Sequence, residues 1–250
     1  MMLGKLPPKN DPRTLKLRAY VTPDMPPTPG ACDWTPTVDR WPMYANDIYG
    51  DCTCAAAAHM IDSWRDNAGE DAHHLTDIDV LAAYSAITGF DPLCPWTDRG
   101  AYMLDVLRYW RNAGIADHQI GAWVDGDPGD VEDVKRSIWL FGGAYVGFSL
   151  PDAIFDGDPM EAVWDLPADG AVGAWRANPH NGHAVSLHGY DMAGWVLCVT
   201  WGGIKRMTWR FIGAYMDEFH AVLSPDILTA SGLSPTGFDL DRLRADLALL

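Results

Sequence analysis

Apolar positions follow two different rhythms along this chain. Between residues 52 and 112 they recur with a helical period. Cys52-Thr53-Cys54-Ala55-Ala56-Ala57-Ala58-His59-Met60-Ile61 is small or apolar on nearly every side, which predicts a helix over 52–67 packed deep inside a lobe and ended by Gly69. Thr76-Asp77-Ile78-Asp79 is a capped helix start leading into Val80-Leu81-Ala82-Ala83-Tyr84. Residues 89–99 form a loop rich in turn formers, and Met103, Leu104, Leu107 and Trp110 mark the buried face of a helix over 101–112, stopped at Gly114. Beyond Gly114 the pattern shortens. Strands are predicted at 120–124 and 143–150 around a short helix at 130–140, and again at 183–188, 195–200 and 205–211, after a turn-rich insertion over 151–180.

The flanks differ from this body. Residues 1–44 read as an extended, Pro-rich N-terminal arm: Leu15 to Val21 alternates as a single strand does, and Pro23, Pro26, Pro27 and Pro29 then disfavour a helix. Residues 45–223 form the folded domain, and 224–250 a linker followed by an amphipathic helix over 238–250. The fold class is therefore α+β, a helical lobe carrying Cys52 against an antiparallel β lobe carrying His183.

At 250 residues, with 48% hydrophobic residues and 12 tryptophans, the chain can bury a large core. Its formal charge of −16 and isoelectric point of about 4.6 argue against nucleic acid and anionic lipid as partners. No apolar run approaches the roughly 18 residues of a membrane helix, and Met1-Met2-Leu3-Gly4-Lys5 has no signal-peptide core, so cytoplasmic synthesis is expected. Five cysteines, at 32, 52, 54, 94 and 198, are an odd and scattered set that does not suit a disulfide framework.

Two segments carry the chemistry. Asn46-Asp47-Ile48-Tyr49-Gly50-Asp51-Cys52 is a glycine turn that delivers a cysteine to the first turn of a helix, where the dipole and the free N–H groups favour a thiolate and can hold an oxyanion. Asn181-Gly182-His183-Ala184-Val185-Ser186-Leu187-His188-Gly189-Tyr190 supplies a histidine in a strand, as a general base for that thiol requires. The neighbouring groups read as structural. His188 is assigned to the opposite face of the strand from His183, His59 to the interface between lobes, and Asp51 to a solvent-facing turn because an inward carboxylate would oppose thiolate formation. A zinc site from Cys52, Cys54, His73 and His74 has no matching spacing, so no metal and no cofactor is expected.

From about residue 44 to 223 these landmarks resemble the papain-like cysteine peptidases, and the Gly-Asp-Cys-Thr wording resembles their compact phage and bacterial members. Asn46 stands where the family has the oxyanion-hole glutamine, six residues before Cys52. His183-Ala184-Val185 with Gly189-Tyr190 resembles its histidine strand, 131 positions after the cysteine. Trp201-Gly202 matches the Trp-Gly that follows the family's orienting asparagine. That asparagine is replaced by Val199, while Thr200 offers a nearby hydroxyl that on a regular strand faces the other side. The resemblance implies a two-lobe fold and a thiol hydrolase of peptide or amide bonds. Cys52 would be the nucleophile, His183 the base, Asn46 and the Cys52 N–H the oxyanion hole, Thr200 the third member and Trp201 the shield. It implies a peptide or protein substrate. The incomplete triad gives the alternative, a weak or inert papain-fold binding or structural protein, as in a phage virion assembled with other virion proteins.

Overall fold

A computed structural model describes residues 1–19, 27–69, 74–161 and 163–227. The helix expected at 238–250, His73 and residues 20–21 of the expected 15–21 strand lie outside them.

The long helix forms as its composition dictates. α1 spans Cys52–Ala68 and is closed by Gly69 in the left-handed conformation, φ 77°. Every residue from Cys52 to Trp64 is buried, because alanine lets neighbouring elements approach closely on all sides. α2 (Asp77–Thr88) starts on a capping box in which Thr76 and Asp79 satisfy each other's backbone N–H. α3 (Met103–Asn112) buries Met103, Leu104, Val106, Leu107 and Trp110, and α4 (Val131–Phe141) is capped by the Asp130 carboxylate, which accepts from the N–H of Glu132 and Asp133.

The strands are β1 (Cys32–Asp33), β2 (Ala122–Asp125), β3 (Ala144–Pro151), β4 (Ala177–Tyr190), β5 (Trp195–Thr200), β6 (Gly203–Thr208) and β7 (Met216–Leu223). They make an antiparallel sheet ordered β2-β7-β3-β4-β5-β6, with β1 added against β4. One hydrophobic cluster fills the β lobe and another surrounds α1. Tyr145 on β3 joins them, donating its hydroxyl to the Thr53 carbonyl at 2.8 Å and so fixing the first turn of α1 against the sheet.

Two expectations need correction. The strand expected at 205–211 ends at Thr208, whose side chain caps a short helix, α5 (Trp209–Tyr215), by accepting from Phe211 N–H; β7 then follows. The aromatic and β-branched residues of α5 suit a strand locally, but Phe211, Ile212 and Tyr215 share one buried helical face. Among the described residues of 15–21, Lys16 bridges to Asp125, and Leu17–Ala19 is a 3-10 turn.

Candidate active site

The turn before Cys52 is built by hydrogen bonds to a distant loop. Gly50 N–H donates to Asp98 Oδ2 at 2.9 Å, Tyr84 donates its hydroxyl to Asp98 Oδ1 at 2.6 Å, and Gly100 N–H donates to the Tyr84 oxygen at 2.9 Å. This chain ties the cysteine turn to α2 and to the 98–100 loop. It leaves Cys52 as the first residue of α1, 1% exposed, with Ala184 N–H donating to its sulfur at 3.5 Å. Ala184 directly follows His183, so the nucleophile expected from sequence lies against the strand of the expected base.

His183 is held on two sides. Its Nε2 lies 2.6 Å from Thr200 Oγ1, and its ring stacks on the Trp201 indole with centroids 4.2 Å apart and planes 18° from parallel. Its Nδ1 has no hydrogen-bond partner. Burial holds the imidazole near a pKa of about 3, so it is neutral at physiological pH. The register explains why Thr200 meets the ring. Val199 pairs with Ser186 and Cys198 with Leu187; continuing the alternation, Thr200 shares a face with Leu187, Val185 and His183, and Val199 points away. The position that lines up with the family's asparagine by simple counting is thus on the wrong face, and the next residue reaches the imidazole.

On the cysteine side the picture differs from the sequence reading. Asn46 is buried, but its amide is already engaged: Nδ2 donates to Tyr49 O and to Asp51 Oδ1, both at 3.0 Å. Asp51, expected in solvent, is fully buried, and burial pushes its carboxyl up to about 8. The reason is geometric. Asp51 is the N-cap position of a helix enclosed on all sides, and the carboxyl turns back onto Asn46 where it makes no side-chain cap. Burial likewise pushes the Cys52 thiol up to about 12, with the N–H groups of Ala184 and Gly4 working in the opposite direction. His59 Nε2 meets Pro42 O at 2.7 Å between Trp41 and Tyr44, and His188 Nδ1 faces Gly142 O at 3.3 Å, both being packing contacts. His74 Nδ1 lies 3.3 Å from Asp62 Oδ2, away from the cysteines it was grouped with.

What covers the site is the start of the chain. Met2 N–H donates to Asn46 O at 2.7 Å, Gly4 and Lys5 N–H to Gly182 O at 3.2 and 3.1 Å, and Ala101 and Leu6 exchange bonds with Gly4 O and Ala101 O at 2.8 and 2.9 Å. Trp201 Nε1 donates to Met2 O at 3.1 Å. Glycines make the approach possible. A Cβ on Gly4 would sit 1.8 Å from Gly50 O, one on Gly100 2.1 Å from Gly4 O, and one on Gly182 2.0 Å from Lys5 O. The Gly4 N–H is bonded to Gly182 O, and the Gly4 carbonyl accepts from Ala101 N–H.

Sequence reasoning missed Lys5 and the pair Asp217 and Glu218, which meet at this cleft. The only local signal was a lone lysine in an apolar N-terminal stretch; the acidic pair lies in a strand that was itself missed.

No family model matches the chain, and no curated protein matches it in sequence. Solved structures do match in shape. Xylellain, a cysteine protease from Xylella fastidiosa, superposes with a TM-score of 0.65 at 15% identity over 89% of this chain and 96% of its own. Digestive procathepsin L 3 of Tenebrio molitor gives 0.57 at 13% identity, covering 88% and 75%, and the Carica candamarcensis cysteine protease CMS1MS2 gives 0.53 at 14%, covering 78% and 99%. The chain therefore has the two-lobe papain-like fold, with Cys52 and His183 on facing elements.

Proposed function

We propose that this protein is a thiol hydrolase of peptide or amide bonds acting through Cys52 and His183. The observation that carries the reading is the placement of the Cys52 sulfur against the His183 strand, with the imidazole held by Thr200 beneath Trp201. With Nε2–H donated to Thr200 Oγ1, the ring keeps a lone pair on Nδ1, the tautomer a base requires. His183 takes the thiol proton, the sulfur attacks the carbonyl carbon, and the Cys52 N–H at the helix start stabilises the oxyanion. The imidazolium returns its proton to the leaving amine, and water, deprotonated by the same ring, releases the acid from the thioester. Asn46 contributes to the oxyanion hole once its amide turns away from Asp51.

The test is hydrolysis of a peptide mixture by the full chain, by Gly4→Val, whose side chain cannot fit beside Gly50, and by Cys52→Ala. Expected is cleavage by Gly4→Val exceeding that of the wild type and absent from Cys52→Ala. No cleavage by Gly4→Val, together with alkylation of Cys52 by iodoacetamide no faster than at the other cysteines, overturns the reading. It would favour a second one, a papain-fold binding or structural protein such as a virion component, which the filled cleft and the engaged Asn46 amide support.

A further inference from the structure

Lys5 is a cation buried where an apolar residue would be expected. Its side chain is 1% exposed, its ammonium lies 2.9 Å from Asp217 Oδ1 and 3.7 Å from Glu218 Oε2, and it donates to Leu6 O at 3.3 Å. The cavity around it is shaped by two features of the sheet. Opposite Glu218 on β3 stands Gly147, where a Cβ would lie 2.0 Å from Lys5 Cε and 2.9 Å from Met103 Sδ, so only glycine leaves room for the stem. The β3–β7 register slips between Gly147 and Phe148, which pair with Glu218 and Met216; Asp217 is the extra residue. Alternation fails at such a bulge, and two consecutive acidic side chains reach one site.

The pair is held by a second layer. Ser149 donates to Asp217 Oδ2 at 2.6 Å, His220 Nε2 lies 3.1 Å from Glu218 Oε1, and His220 Nδ1 lies 2.8 Å from Asp125 Oδ1, which in turn leaves Asp125 Oδ2 for Lys16 at 2.7 Å. The other oxygen of each acid, Asp217 Oδ1 and Glu218 Oε2, is turned to the Lys5 ammonium and has no further hydrogen-bond partner. Glu218 is buried and Asp217 24% exposed, and with the Lys5 ammonium withdrawn the oxygens turned to it would lose their cation at a cost. The backbone of the same residue bonds Gly182 O, directly before His183, so a side chain in this pocket belongs to a peptide lying across the thiol.

We infer that the pocket formed by Gly147, Met103, Asp217 and Glu218 is a recognition subsite for a basic side chain, lysine or arginine, of a peptide ligand, and that Lys5 is a tethered occupant that keeps the cleft closed. The inference rests on the hydrolase reading for calling that ligand a substrate, but its test needs no turnover. Lys5→Ala in the full chain, in a Cys52→Ala background, is titrated by calorimetry with acetyl-Leu-Gly-Lys-Leu-Pro-amide and with its Ala and Glu analogues at the Lys position. The Lys peptide is expected to bind at least about tenfold tighter than the Ala peptide, with the Glu peptide weakest. The preference is expected to vanish in Asp217→Asn/Glu218→Gln. In parallel, with Cys52 intact, Lys5→Ala is expected to speed iodoacetamide alkylation of Cys52 at least about tenfold while Lys5→Arg leaves it slow. Equal binding of the three peptides, binding of none, or unchanged alkylation in Lys5→Ala overturns the inference. A lysine preference without any hydrolysis leaves the inference standing and removes the hydrolase reading; hydrolysis without the preference does the reverse.

Discussion

The cysteine side of the cleft is fixed by backbone and by buried acids, whereas the histidine side is fixed by one hydroxyl and one indole. Cys52 sits at the head of a helix enclosed on all sides, with Asp51 and Asn46 locked together behind it and the first residues of the chain in front. His183 lies on a long central strand, where Thr200 and Trp201 are the groups that orient it. Burial acts on the two sides with opposite consequences. It raises the thiol and the Asp51 carboxyl, keeping both protonated, and it lowers the imidazole, keeping it an unprotonated base. The structure therefore holds a neutral thiol and a neutral imidazole, and on the proposed hydrolase reading displacement of residues 2–6 would restore the solvation that ionisation needs.

Breaking the histidine side has the largest expected effect. His183→Ala in the Gly4→Val chain is expected to lower the hydrolysis rate by at least about 10⁴-fold, read as kcat on a peptide substrate, because His183 is the proposed acceptor of the thiol proton. Thr200→Val keeps the shape and removes the hydroxyl from Nε2. A fall of about 10²-fold in kcat with little change in KM is expected, and Thr200→Ser should recover most of it. Equal activity in Thr200→Val would show that Trp201 alone orients the ring.

The cysteine side is sharpened by pH. Asp51 has a folded value of about 8 against 3.8 for the free group, so the folded state binds the extra proton. Its stabilising contribution is greatest below about 3.8 and is lost as pH rises towards 8. Asp51→Asn keeps an oxygen for the Asn46 amide and removes the ionisation. It is expected to stabilise the protein by at least about 1 kcal/mol at pH 8, some 2–4 °C in Tm, with no gain near pH 4. His183 and His188, both near 3 when folded against 6.5 when free, act on the other flank. The unfolded chain binds protons first, so Tm is expected to fall as pH drops from about 6.5 towards 3, and this acid limb should persist in Asp51→Asn. The smallest effect belongs to Trp201→Phe, which retains a ring under His183 but loses the hydrogen bond to Met2 O. A rise of about two- to fivefold in Cys52 alkylation is expected as the covering segment loosens.

Particular residues show how far the sequence reached. The alanine run gave α1 with its start at Cys52 and its stop at Gly69, since helix propensity and left-handed capping are local properties. Trp195–Thr200 matches β5 at both ends. The helix expected from 101 begins at Met103, because the Ala101 backbone is bonded to Gly4 and Leu6, nearly a hundred residues away in the chain. α5 was read as strand because its aromatic residues favour an extended chain locally, and only the shared burial of Phe211, Ile212 and Tyr215 makes it a helix.

By itself the sequence determined the α+β class, the helix that carries Cys52 and the strand that carries His183, because period and caps are local quantities. Tertiary structure decided the rest. Which of Val199 and Thr200 faces the imidazole depends on strand register, the burial of Asp51 depends on what packs around the N-cap, and the seat of Lys5 depends on a bulge in one strand and a missing Cβ in its neighbour. Those are relations between segments far apart in the chain, and no window of sequence contains both partners.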